Sequence, residues 1–143
     1  MKINYKGEAH EAYSLKMQKK FAKEIVEGKK TLEIRAFSPY YISRFINKRP
    51  ATKKGETVDI VSDIKTDVRF IHFSDYKKSW HLDVKIDELG ICTMAREDIE
   101  SLAEDFDFHD YDNEWQQYDS LPDEEKPIFF YLHICEIVES KGL

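Results

Sequence analysis

Apolar residues at helical spacing that stop at a glycine, followed at once by strictly alternating side chains, constrain this chain more than any other feature. Met17, Phe21, Ala22, Ile25 and Val26 recur on one face, with Lys19, Lys20, Lys23, Glu24 and Glu27 between them, as in an amphipathic helix with one buried stripe. Gly28 ends the run, because glycine enters the left-handed conformation of a C-terminal cap without a Cβ penalty. A strand over Thr31 to Arg35 sends Leu32 and Ile34 into the core and gathers Thr31, Glu33 and Arg35 on the opposite face. Lys30 stands at the mouth of that strand, beside Lys29. A lysine, a glutamate and an arginine on one rigid edge suit a polar, partly anionic ligand, with cations for phosphate or carbonyl oxygens and an acceptor for an amino group. The plain alternative for the same residues is an exposed strand face carrying a Glu33–Arg35 ion pair.

The rest of the chain reads as short strands with few helices. Met1 to Ala12 is polar and without period, a loose arm leading into a first strand at Tyr13 to Met17. Ser38 and Pro39 supply a cap and a first-turn proline for a helix over Tyr40 to Asn47, ended before Pro50. Lys54-Gly55-Glu56 makes a turn before a strand at Val58 to Val61. Val68 to Phe73 and Ser79 to Ile86 form a hairpin around Asp75 to Lys78. In its second arm Trp80, Leu82, Val84 and Ile86 alternate with Ser79, His81, Asp83 and Lys85, which predicts one wet face. Ile99, Leu102, Ala103 and Phe106 mark a helix from about Ala95, and Asp105 to Glu114 reads as an acidic loop with a short turn near Trp115 and Tyr118. After the break at Pro122 to Pro127, Ile128 to Val138 is apolar on both parities and belongs at the centre of a sheet. Strands without strict strand–helix alternation predict a single α+β domain over residues 1–143, with a mixed, mainly antiparallel, barrel-like sheet flanked by short helices.

Charge is divided along the chain. Met1 to Lys54 carries 14 Lys and Arg against 5 Asp and Glu, a net +9, and the remainder carries 8 against 23, a net −15. A basic half in an acidic protein predicts a restricted positive face for phosphate, and the acidic half offers a surface to a protein partner. Mutual neutralisation of the two halves across the surface is the alternative. No apolar run approaches membrane-spanning length and no secretory signal pattern starts at Met1, so the expectation is a cytoplasmic protein with no membrane partner. Cys92 and Cys135 have neither metal-ligand nor disulfide spacing and read as buried thiols of a reducing compartment.

The stretch Gly28, Lys30, Glu33, Arg35, following a strand and an amphipathic helix, reads Gly-x-Lys-x-x-Glu-x-Arg and resembles the signature of the activating-signal-cointegrator homology (ASCH) domain. Tyr13-Ser-Leu-Lys-Met17 is similar to that family's opening strand, Lys54-Gly55-Glu56 to its turn, and the closing apolar strand into Glu136 to its end. The resemblance implies a PUA-like β-barrel with a cleft beside the motif and an association with RNA or modified nucleosides. It makes Gly28, Lys29, Lys30, Thr31, Glu33 and Arg35 ligand-binding candidates. Tyr40 and Tyr41 beside Arg44, Lys48 and Arg49 read, on their own chemistry, as a stacking and cation surface for single-stranded nucleic acid. One of the two tyrosines packing inward is the competing reading.

The resemblance also implies an enzymatic alternative. Part of the family hydrolyses the amide of N(4)-acetylcytidine with a motif lysine, a threonine where this chain has Glu33, and a separate carboxylate. On that pattern Lys30, Glu33 and, as the second carboxylate, Glu104 are the catalytic candidates, with Thr31 as a substitute hydroxyl on the same strand face. Other members cleave single-stranded RNA, a role for which no serine or histidine here is matched. The segment Ala36 to Lys54 is longer than the family's short link, so ligand choice does not transfer. The five histidines share no metal-ligand spacing and the acidic loop lacks the glycine of a calcium loop, so neither a metal nor a cofactor is expected.

Overall fold

The computed structural model describes residues 1–47 and 63–143. The expected turn at Lys54-Gly55-Glu56, the strand at Val58 to Val61, and Lys48 and Arg49 lie outside the described residues. Among the described residues there are seven strands: β1 (Lys2–Tyr5), β2 (Glu8–Glu11), β3 (Tyr13–Lys16), β4 (Leu32–Ala36), β5 (Phe70–Ser74), β6 (His81–Thr93) and β7 (Ile128–Lys141). The same residues hold three α-helices, α1 (Lys19–Val26), α2 (Pro39–Phe45) and α3 (Arg96–Phe106), and two short 3₁₀ turns. The class is α+β. The main sheet is mixed and curled into a half-barrel, with strand order β3-β5-β6-β7-β4. β3 pairs in parallel with β5, and β5 is antiparallel to β6. β7 lies inside the sheet, as its apolar run on both parities requires. Among the described residues no helix is long and apolar enough to cross a membrane.

The chain groups into two compact units, and β4, β6 and β7 each run through both. The first unit holds Met1–Glu33, Asp67–Glu88 and Leu132–Leu143. Its core is built from Leu15, Ile25, Leu32, Ile71, Phe73, Leu82, Val84, Ile86 and Leu132. Met1 to Ala12 is not a loose arm. Lys6 and Gly7 both take positive φ, the two-residue turn whose twist suits a hairpin, and β1 and β2 pair antiparallel around it. Ile3 and Ala12 bury against Phe70, with Tyr5 and Val138 packed on that cluster. The β5–β6 hairpin puts Trp80, Leu82, Val84 and Ile86 inside as expected, but its expected wet face is not wet throughout, because Asp83 is buried as well.

The second unit holds Ile34–Thr66 and Leu89–Tyr131. Ser38 accepts from the Tyr41 N–H at 3.5 Å and Pro39 opens α2, so the cap read from the sequence is the one formed. Phe45 from this helix is fully buried, with its ring 5.2 Å from Phe130. α3 buries Ile99 and Leu102. Asp98 in its first turn reaches back to accept from both the N–H and the hydroxyl of Thr93, at 3.0 and 2.7 Å, which ties the start of the helix to the strand before it.

Candidate functional site

The motif begins where α1 stops. Gly28 sits at φ +77° with open space where a Cβ would point. Its N–H donates to Ile25 O at 3.1 Å, and the Lys29 and Lys30 N–H groups donate to Glu24 O at 2.9 and 3.3 Å. These bonds close a Schellman cap and satisfy carbonyls that the helix end would otherwise expose. Three residues on, Ile134 N–H donates to Thr31 O at 2.7 Å, which fixes the start of β4 against β7. Lys30 is therefore held between two anchored points, and its direction follows from the cap.

Within the first unit the Lys30 ammonium lies 3.4 Å from Glu33 Oε1 and 4.8 Å over the ring of Phe21. Glu33 was expected on an outward face, yet its side chain is only 8% exposed, and that of Lys30 is 20% exposed. Few charged side chains are buried, because removing a carboxylate from water costs several kcal/mol (roughly) unless charge and hydrogen bonds offset it. Lys30 is one of the groups that offset it here. At 3.4 Å the contact is an ion pair longer than a strong charge-assisted hydrogen bond, and it engages one of the three ammonium donors. Lys29 points away to solvent and pairs with Glu27 at 2.9 Å. That hydrogen bond and the nearby charge of Glu27 hold the Lys29 amine above its ordinary value. Thr31 is exposed, and Leu32 beside it is buried.

The remaining motif residue and the stacking candidates belong to the second unit. Arg35 donates to the Tyr41 hydroxyl at 2.7 Å and lies 5.6 Å from that ring. Tyr41 is half-buried and stacks on Phe45 at 5.9 Å, whereas Tyr40 is exposed and carries the Arg44 guanidinium 5.2 Å from its ring. One of the two adjacent tyrosines does turn inward, and each keeps an arginine. Glu104 is exposed on α3 in the same unit.

Other features of the first unit escaped the linear reading. Tyr5, His10 and Phe70 cluster with centroid separations of 4.7 to 6.0 Å. A 480 Å³ hollow beside them is lined also by Lys6, Glu8, Arg69 and Lys85. Reading Met1 to Ala12 as an arm hid this site; the turn-forming Lys6-Gly7 between Ile3-Tyr5 and Ala9 was the available signal. The cysteines differ from expectation too: Cys92 is buried, but Cys135 is exposed on β7 beyond the point where that strand leaves the core. Burial pushes the Cys92 thiol up to about 12. Comparison with protein-family models, with curated proteins and with solved structures returns no match.

Proposed function

We propose that this chain is an ASCH-like binding module for RNA or a nucleotide-like ligand, centred on Lys30 and Glu33. The observation that supports it is the part-buried ion pair between those residues. A carboxylate acceptor and an ammonium donor side by side match the edge of a base that presents an amino group next to a ring nitrogen or carbonyl. On binding, Glu33 accepts from the amino group and Lys30 donates to the neighbouring acceptor, so each exchanges part of a long mutual contact for a shorter one. Separately, within the second unit, the Arg35–Tyr41 and Arg44–Tyr40 pairs offer cations suited to phosphate and, at Tyr40, an exposed ring suited to stacking. The net +9 of Met1 to Lys54 is consistent with this role.

The test is fluorescence anisotropy with a labelled single-stranded RNA, measured across salt concentrations for wild type, Lys30→Glu and Arg35→Glu. Both charge reversals weaken binding, and Arg35→Glu also flattens its salt dependence, by about 0.7 in log–log slope for each phosphate of a single strand that the variant no longer neutralises. Unchanged affinity and slope in both variants, with the fold intact by circular dichroism, would remove the proposal. Product formation from an acylated cytidine, dependent on Lys30, would replace it with the hydrolase reading.

A further inference from the structure

Among the described residues Asp83 is, with Glu33, one of two buried carboxylates, and the motif makes no use of it. It lies on β6 between Leu82 and Val84, which are both fully buried, and its own side chain is 7% exposed. Its direct cross-strand partner on β5 is His72, whose Nδ1 lies 2.5 Å from Asp83 Oδ1. That hydrogen bond orients the carboxylate and leaves Oδ2 on the side of His81, two residues back on the same face of β6, with His81 Nε2 at 4.0 Å. From β7, Glu139 brings Oε2 to 3.1 Å from the same His81 nitrogen. The three ligand-type atoms all lie within 4.8 Å of one another. They face a 570 Å³ cavity lined also by Ile3, Asn4, Lys2 and Lys6 of the β1–β2 hairpin.

We propose that His81, Asp83 and Glu139 form a binding site for a divalent first-row transition cation of the zinc type. One imidazole nitrogen and two carboxylate oxygens are a ligand set that such ions accept, with bonds of about 2.0–2.2 Å. Ligand atoms around a tetrahedral ion at that radius stand roughly 3.3 Å apart, which follows from the bond length. Closing to this spacing brings the His81 ring toward Asp83 from 4.0 Å and swings Glu139 toward Asp83, and the side chains of His81 and Glu139 are 26% and 60% exposed and able to adjust. The His72–Asp83 hydrogen bond is the outer-shell support that holds a ligating carboxylate in place. A dication at this point offsets the charge of both acids, including the buried Asp83. Three protein ligands leave coordination open toward the cavity, and Lys2 and Lys6 on its wall favour an anionic group there. Linear spacing does not reveal this set, because its third ligand comes from a strand 58 residues beyond His81.

The proposal is tested by isothermal titration of chelator-treated protein with zinc chloride, backed by the absorption spectrum of the cobalt-loaded form. One site per chain is expected, weakened at least tenfold in His81→Gln and in Glu139→Gln, with a low-coordinate cobalt spectrum in wild type only. Both substitutions are at partly or largely exposed side chains, so the fold survives them. His109→Ala removes a different histidine held between two acids, Asp107 and Asp112, and leaves the titration unchanged. No site-stoichiometric binding, or binding lost in His109→Ala but kept in His81→Gln, overturns the proposal.

Discussion

Replacing Gly28 with alanine isolates the conformational cost of the cap that aims Lys30. The added Cβ meets nothing within 4 Å, so no steric term enters and the effect comes from φ +77° alone. An L-residue in the left-handed region costs about 1–2 kcal/mol, and the smaller entropy of the unfolded alanine chain returns part of that (roughly 0.4–1 kcal/mol). The net loss is about 1 kcal/mol, which for a chain of this length lowers Tm by roughly 3–5 °C. Asparagine tolerates the left-handed region, so Gly28→Asn should recover about half of the loss. Urea unfolding followed by far-UV circular dichroism measures all three proteins. An unchanged midpoint in Gly28→Ala, or Gly28→Asn as unstable as Gly28→Ala, refutes the conformational argument. The first result denies the cap, and the second demands a steric clash that the structure lacks.

Asp98→Ala removes the acceptor shared by the Thr93 N–H and hydroxyl and should cost about 1–2 kcal/mol by urea denaturation, with Asp98→Asn losing less. With a disulfide reagent near pH 8, Cys135 should react in the native protein and Cys92 only on unfolding. The reactive form is the thiolate, and burial holds Cys92 up at about 12. Hydrogen bonds that the ring N–H groups donate to Asp107, then to Asp112, raise the His109 imidazole above its ordinary value. A raised folded-state value means that the contribution of His109 to stability is present below its unfolded pKa and is lost as pH rises through the folded one. A proton NMR titration should place its midpoint above that of a free histidine, and Asp107→Asn should lower it.

Local signals in the sequence carried the elements whose side chains obey one period. The helix ended by Gly28, the Ser38-Pro39 start of α2, the apolar arm of the β5–β6 hairpin and the central β7 form where spacing placed them. Period alone cannot say whether the polar face of a strand meets water. Glu33 and Asp83 occupy alternation positions that read as exposed, and tertiary neighbours bury both. The β1–β2 hairpin was missed because its strands are polar and short, and its stability rests on Ile3 and Ala12 meeting Phe70 from distant sequence. The parallel pairing of β3 with β5 and the convergence of His81, Asp83 and Glu139 are products of topology rather than spacing.

Lys30 and Glu33 as the ligand-contacting pair is the claim on which the functional account stands. Amide shift mapping by ¹⁵N NMR, with single-stranded RNA titrated into the labelled protein, examines it most directly. The account predicts saturable shifts at Lys30, Thr31 and Glu33 that vanish in Lys30→Met. Saturable binding that leaves those amides unmoved contradicts it.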